Sequence, residues 1–189
     1  MKAASLVILL PCLVLWVGKP NAVAGEETVT YRLIGLNHPE RFDDLRQTIE
    51  AIPEIALVSA DVEKAEVTLR FDPSKLDPKG KPGQVPAPEK VREQLDKLIG
   101  QASTRTFSLP ESKEVPEAQL AKHEIRVGLL DCKGCRYGVY AAVAKLDGFV
   151  RAAVSSESGL LTVWVDSAKL DREALMAALK KAKVEFPES

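Results

Sequence analysis

The sequence predicts an α+β chain of two tandem ferredoxin-like units, each βαββαβ, with an antiparallel sheet that carries its helices on one face. Three observations predict it. Apolar residues switch between period 2 and period 3.6 in the order strand, helix, strand, strand, helix, strand, and this order is met twice. A shift of 94 positions, which takes residue 38 to residue 132, lays the first run on the second without a gap over its first half. It carries Leu33 to Val127, Ile49 to Val143, Ile52 to Leu146, Ala60 to Val154, Val67 to Leu161, Leu69 to Val163 and Phe71 to Val165. Finally, 189 residues with 46% hydrophobic and 28% charged ones make a globular chain long enough for two small domains. One apolar position fails to match: Val62 falls on Ser156, at a strand end where a polar residue costs the core little.

Residues 1–24 stand apart from this repeat. Lys2 precedes an apolar run over residues 3–17, and Ala22-Val23-Ala24 forms a small-x-small cleavage pattern before Gly25. The segment reads as a secretory signal peptide, which predicts a periplasmic or secreted protein. The run is shorter than the ~20 apolar residues a spanning helix needs, so a membrane anchor is the weaker reading. Cys12 lies inside the run, and Pro11 ahead of it does not suit a lipoprotein processing site.

The first unit is expected over residues 25–112. Val29, Tyr31 and Leu33 alternate with Thr28, Thr30 and Arg32 in a strand that runs into Gly35-Leu36-Asn37-His38-Pro39. A helix follows, with Pro39 in its first turn and Asn37 or His38 as cap. Phe42, Leu45, Ile49 and Ile52 lie on one face until Pro53 stops it. Residues 55–62 read as a strand, Glu63-Lys64 as a turn, and Val67, Leu69 and Phe71 as the inward side of the next strand. Residues 72–88 are too rich in Pro, Gly and Lys to bury, with 77–83 as a mobile surface loop. A helix over 89–102 presents Val91, Leu95, Leu98 and Ala102, and a strand over 104–109 closes the unit. A charged stretch from Pro110 leads into the linker, residues 113–121.

The second unit is expected over 122–189. Ile125, Val127 and Leu129 give a strand, and Val139, Ala142, Val143 and Leu146 give a helical stripe that Asp147-Gly148 ends. The last helix starts at Asp171 with Leu175, Ala178, Leu179 and Ala182 inward, and a short strand spans 184–186. Trp164 alternates with Leu161, Val163 and Val165, so it points to the open face of the sheet, where it can meet a neighbouring domain or partner.

Between that first strand and helix lies Cys132-Lys133-Gly134-Cys135. A helix N-terminus presents free N–H groups and partial positive charge, which stabilise a thiolate. Two thiols three positions apart can meet one ion, and soft thiolates select soft metals, above all Cu(I), with Hg(II) and Zn(II) as further options. Closed structural zinc wants four ligands, and no second cysteine pair or histidine pair completes the set; His123 reads as a surface histidine. Export also favours a disulfide. A CxxC bond closes a very small loop and adds little stability, so a bond here reads as redox-active or as the resting form of a ligand pair. A net charge of −1 with few aromatics gives no basic stripe, which excludes nucleic acid as a partner, and Lys180, Lys181 and Lys183 mark a solvated helix side.

Over residues 122–186 the second unit resembles the heavy-metal-associated domain family of small copper chaperones, metal-pump N-terminal modules and the periplasmic mercury-binding protein. The family motif Gly-Met-Thr/Asp-Cys-x-x-Cys is met by Leu129-Leu130-Asp131-Cys132-Lys133-Gly134-Cys135, and Leu146-Asp147-Gly148-Phe149-Val150 resembles its Leu-x-Gly-Val stretch. The resemblance implies that Cys132 and Cys135 are the metal ligands. It also implies a recipient, either a metal-transporting membrane protein or another metal-accepting domain. Leu129 and Leu130 replace the motif's glycine and methionine, and Lys183-Val184 stands where the family often has Gly-Tyr or Gly-Lys. Leu for Met conserves volume under the loop.

The first unit has His38 and Arg41 where the shift predicts the two cysteines, so it reads as a degenerate copy: a lone loop histidine is more often a cap, and a guanidinium repels a cation. The expected function is an exported soft-metal-ion binding protein that holds its ion on Cys132 and Cys135 for transport or transfer, and not an enzyme. No serine, histidine and acid constellation suggests hydrolysis. The alternatives are a thiol–disulfide redox protein using the same pair, which the shortness of the unit disfavours, and a non-catalytic interaction module.

Overall fold

The computed structural model describes residues 25–76, 86–111, 115–128 and 130–187. The expected signal peptide with Cys12, the loop segment 77–83 and Leu129 lie outside the described residues. The first unit runs β1 (Glu27–Arg32), α1 (Arg41–Glu50), β2 (Ile55–Asp61), β3 (Glu66–Phe71), α2 (Pro73–Leu76) and α3 (Pro88–Ala102). A 3-10 turn, Glu117–Gln119, leads to the second: β4 (Leu120–Arg126), α4 (Lys133–Ala144), β5 (Phe149–Ser155), β6 (Leu160–Asp166) and α5 (Arg172–Lys181).

Two antiparallel sheets form, with strand orders β1-β3-β2 and β4-β6-β5. The repeat read in the sequence is the repeat of the fold: β2 shifted by 94 positions falls on β5 residue for residue. Val29 faces Leu69 across one sheet, and His123, its counterpart under the shift, faces Val163 across the other. Each unit has its own apolar core. Leu33, Leu45, Ile49, Val67, Leu69, Leu95 and Ile99 fill the first; Ile125, Val143, Leu161, Val163, Leu175 and Leu179 fill the second, and all are buried. Period 2 in the strands and 3.6 in the helices therefore direct two contiguous cores, the main favourable term in folding.

The two units agree in their turns as well. Asp72 and Asp166 each accept a backbone N–H two residues on, from Ser74 and Ala168 at 3.0 Å, and Leu76 and Leu170, four residues further, are both buried. In the β2–β3 turn Ala65 has φ 55°, and its counterpart Gly159 has φ 63°. Their carbonyls take the N–H of Leu33 at 2.7 Å and of Val127 at 2.9 Å. After that the copies part. Leu76 lies 12 positions before the start of α3 where Leu170 lies 2 before the start of α5, so the first unit carries 10 extra residues before its second long helix.

Several expectations need correction. The closing strands over 104–109 and 184–186 do not form ladders. The first is reduced to one bridge between Ile34 and Ser108, the second to a 2.8 Å bond from Gly128 N to Glu185 O. Left-handed residues, Thr104 and Arg105 in one unit and Lys183 in the other, turn the chain out of each helix just ahead of these segments. Strand β4 begins at Leu120, inside the stretch read as linker, because Leu120 and Ala121 already pair with Asp166 and Val165. The segment after Asp72 is not wholly exposed, since Pro73 and Leu76 are buried in α2.

Two helix faces keep most of the expected stripe and differ at single positions. In α1 Leu45, Ile49 and, just past its end, Ile52 are buried as expected, while Phe42 is exposed and Arg41 and Thr48 complete the inward face. In α3 the inward face is Val91, Leu95, Ile99 and Gly100; Leu98 is half-buried and Ala102 exposed. In α5 Leu175 and Leu179 are buried as expected, while Ala178 is half-buried and Ala182 exposed. Trp164 does face away from the helices, but it is half-covered: Arg151 stacks 4.3 Å from its ring and Lys122 lies 5.8 Å away.

Candidate functional site

Cys132 is the N-cap residue of α4, with extended backbone (φ −106°, ψ 150°), and its sulfur accepts the N–H of Cys135 at 3.0 Å. The first turn of the helix thus aims a backbone donor at this sulfur, the arrangement that favours negative charge on it. Cys132 is exposed and Cys135 half-buried, and the two are joined as a disulfide. Both sulfurs therefore reach one point at the molecular surface. Below them Leu130 is 4% exposed and packs into the second core, which supports the loop from beneath. Arg136, one residue past the pair, donates from Nη1 to the carbonyl of Leu130 at 2.7 Å and fixes the loop from the other side.

His38 and Arg41 sit where the repeat puts them, on the counterpart loop of the first unit, but do other work. The His38 Nδ1 accepts the N–H of Glu40 at 3.3 Å, so it closes the turn ahead of α1. Arg41 folds inward: its Nε donates to Gly35 O at 3.2 Å, its Nη1 pairs with Asp44, and its guanidinium stacks 4.3 Å from the Phe107 ring and 5.4 Å from Tyr137 of the second unit. Gly35 is required here. Its φ is 102°, and a Cβ would lie 2.1 Å from the carbonyl oxygen of Thr106. His123 pairs within the β4–β6 ladder opposite Val163. Among the described residues no group of three or more His, Cys, Asp and Glu side chains could share an ion.

What the periodicities do not announce is that the two corresponding loops meet. Glu40 takes a forked bond from Arg136, at 2.9 and 2.7 Å, and Asp44 takes Lys133 at 2.7 Å. The Tyr140 hydroxyl accepts the N–H of Gly35 at 2.8 Å, the carbonyl of Asn37 accepts the N–H of Val154 at 3.0 Å, and Ile34 packs against the second core. Burial pushes the Tyr140 phenol up to about 12, although the Gly35 bond works the other way. Burial also pushes the Asp44 carboxyl up, but the bond from Lys133 and the charges of Arg41 and Lys133 outweigh it and leave it below its ordinary value. Lys133 and Arg136 carried one signal in the sequence, their place inside and beside the CxxC. Their partners carried none, because a contact between units leaves no period in either.

Chemically, a reduced pair so placed can bind a soft ion between two sulfurs or exchange disulfides with another thiol. No family model matches the chain, and no curated protein does. Solved structures that resemble it include the water-soluble region of the P-type ATPase CopA from Bacillus subtilis, at 13% identity over 86% of this chain and 91% of that one, with a TM-score of 0.33. The N-terminal soluble domains of Bacillus subtilis CopA follow at 12% identity, 86% and 93% coverage and TM-score 0.32. The N-terminal extension of CzcP from Cupriavidus metallidurans follows at 14%, 82% and 96%, and 0.29. At such TM-scores the superposition is poor, and the tandem ferredoxin-like fold rests on the strand order and helix placement of the chain itself.

Proposed function

We propose that the mature chain is an exported, non-catalytic carrier of a soft metal ion, held on Cys132 and Cys135 in their reduced form and passed on by ligand exchange. Cu(I) is the foremost cargo, with Hg(II) and Zn(II) as the alternatives. The single observation that carries this reading is the pair's geometry: two sulfurs close enough to bond each other, at the surface, with a helix-terminal N–H aimed at Cys132. Two thiolates suit a two-coordinate soft ion, and no third ligand from the described residues joins them. Transfer needs an open side, which the exposure of Cys132 provides. The recipient would be a metal-transporting membrane protein or another metal-accepting domain, and the first 24 residues would direct the chain to the periplasm or outside the cell.

A second reading has a specific observation behind it, the bond between Cys132 and Cys135 itself. On that reading the pair cycles between dithiol and disulfide as a redox partner. Anaerobic Cu(I) titration of the reduced protein against a competing chelator, beside a redox titration of the same sample, separates the two. A carrier binds one ion per chain with an affinity lost in Cys132→Ala and Cys135→Ala. A redox protein shows no tight stoichiometric binding but exchanges disulfides with a dithiol buffer.

A further inference from the structure

Around the cysteine pair the structure places a charge arrangement that neither reading uses. Lys133 lies inside the pair and Arg136 directly after it, and both cations are met by carboxylates of the other unit, Asp44 and Glu40. These carboxylates flank His38 and Arg41, the two residues that stand at the cysteine positions of the first copy. The loop that has lost its thiols is thus seated against the loop that keeps them.

We infer that the first unit is a covalently tethered cover for the cationic rim of the dithiol. It keeps anionic molecules off the thiols and yields to a protein partner whose own carboxylates can replace Glu40 and Asp44. Three features support a seated but releasable contact. The Lys133–Asp44 pair is exposed, with half of the Lys133 side chain in water, so it contributes little to holding the units together. The Arg136–Glu40 fork is more enclosed, with Arg136 11% and Glu40 29% exposed, and supplies orientation. The junction also contains two buried polar atoms with no partner among the described residues, Asn37 Oδ1 and Arg41 Nη2, each a desolvation cost carried by the seated loops. Because the units are one chain, the cover acts at a high effective concentration, and a partner must compete with it through matching charge. None of this depends on whether the pair carries an ion.

The test uses the reduced full chain and two thiol reagents, a dianionic aromatic disulfide, dithiobis(nitrobenzoate), and a neutral one, dithiodipyridine. Both react with the same thiolates, so the ratio of their rates reports the charge at the rim and not the reactivity of the sulfur. Glu40→Gln with Asp44→Asn leaves two cations at the rim, Lys133 and Arg136, without their carboxylates, and the inward-turned Arg41 without Asp44. The ratio of anionic to neutral rate should rise roughly three- to ten-fold at about 0.01 M salt and return to the wild-type value at about 1 M. Adding Lys133→Gln and Arg136→Gln to the double variant should abolish the rise. A hexaglutamate peptide should lower the raised ratio while leaving the wild-type ratio unmoved. An unchanged ratio, a rise that survives 1 M salt, a rise that survives loss of both cations, or a peptide without effect would each overturn the inference. Should circular dichroism show that the double variant loosens the first unit, Glu40→Gln alone, which leaves the Arg41–Asp44 pair intact, carries the same test with about half the logarithmic effect.

Discussion

Tyr140 shows how one side chain can join two units and set a pH limit on the joint. Its ring packs edge-on against Phe149 with centroids 5.8 Å apart, and its hydroxyl accepts the Gly35 amide. A phenol ionising near 12 in the fold and near 10 in the unfolded chain holds its proton more tightly when folded. The resulting stability is complete below pH 10 and is lost as pH rises through 12, a change of about 3 kcal/mol. Tyr140→Phe should flatten this alkaline slope and, by leaving the Gly35 N–H unpaired, lower stability at pH 7 by about 1–2 kcal/mol. Denaturant melts of both proteins between pH 8 and 12 check it, and an identical slope in the variant would show that another group titrates there. Arg41 makes a sharper case. It is 8% exposed, and Arg41→Ala removes both the Gly35 and Asp44 bonds and the stacking on Phe107, so a loss of about 2–4 kcal/mol is expected in thermal or denaturant unfolding. In the sequence Arg41 was legible only as the residue at a cysteine position. Its burial was not, because a guanidinium goes inside when specific acceptors and aromatic faces await it, and those come from Gly35, Asp44, Phe107 and Tyr137.

At the scale of elements, the apolar periods predict the three paired strands and two long helices of each unit, and the errors, the closing strands and the short α2 among them, have physical causes. In α1 and α3 most of the expected stripe is buried, and the positions that depart are Phe42 and Ala102, apolar residues that lie on the solvent side, and Leu98, half-buried beside the buried Ile99. The missing fourth strands follow from backbone conformation that apolar spacing does not encode. Lys183, with φ 57°, follows the C-cap of α5, and the N–H of Val184 bonds back to Leu179 O at 3.0 Å, a glycine-type helix stop built with a lysine. Lys183→Gly should therefore raise stability by up to about 1 kcal/mol, since left-handed backbone strains a side chain. Its mirror test lies in the turn pair. Gly159→Ala should cost about 1 kcal/mol, because φ is 63° and the new Cβ would press 3.3 Å from Val127 O. Chemical denaturation of the two variants measures both, and opposite signs are expected.

For the whole molecule, the 94-residue repeat is the most informative feature, because it gives the fold class, the equivalence of the two loops and the place of His38 and Arg41 opposite the two cysteines. It could not show that the equivalent loops face each other, since docking between units depends on surfaces that no single period describes. Each unit closes its own core, so the first should fold when produced alone as residues 25–111 and, with His38 engaged by the Glu40 amide and Arg41 turned inward, bind no soft ion beyond what a surface histidine gives. Isothermal titration checks this, and a stoichiometric site lost on His38→Ala would make the protein a two-site carrier. The central claim remains that Cys132 and Cys135 hold the cargo. Native mass spectrometry of the reduced protein, loaded with Cu(I) and exchanged without oxygen, tests it most directly. One ion per chain is predicted for the wild type and none for the Cys132→Ala, Cys135→Ala double variant, whereas an equal metal load in both proteins would contradict the account.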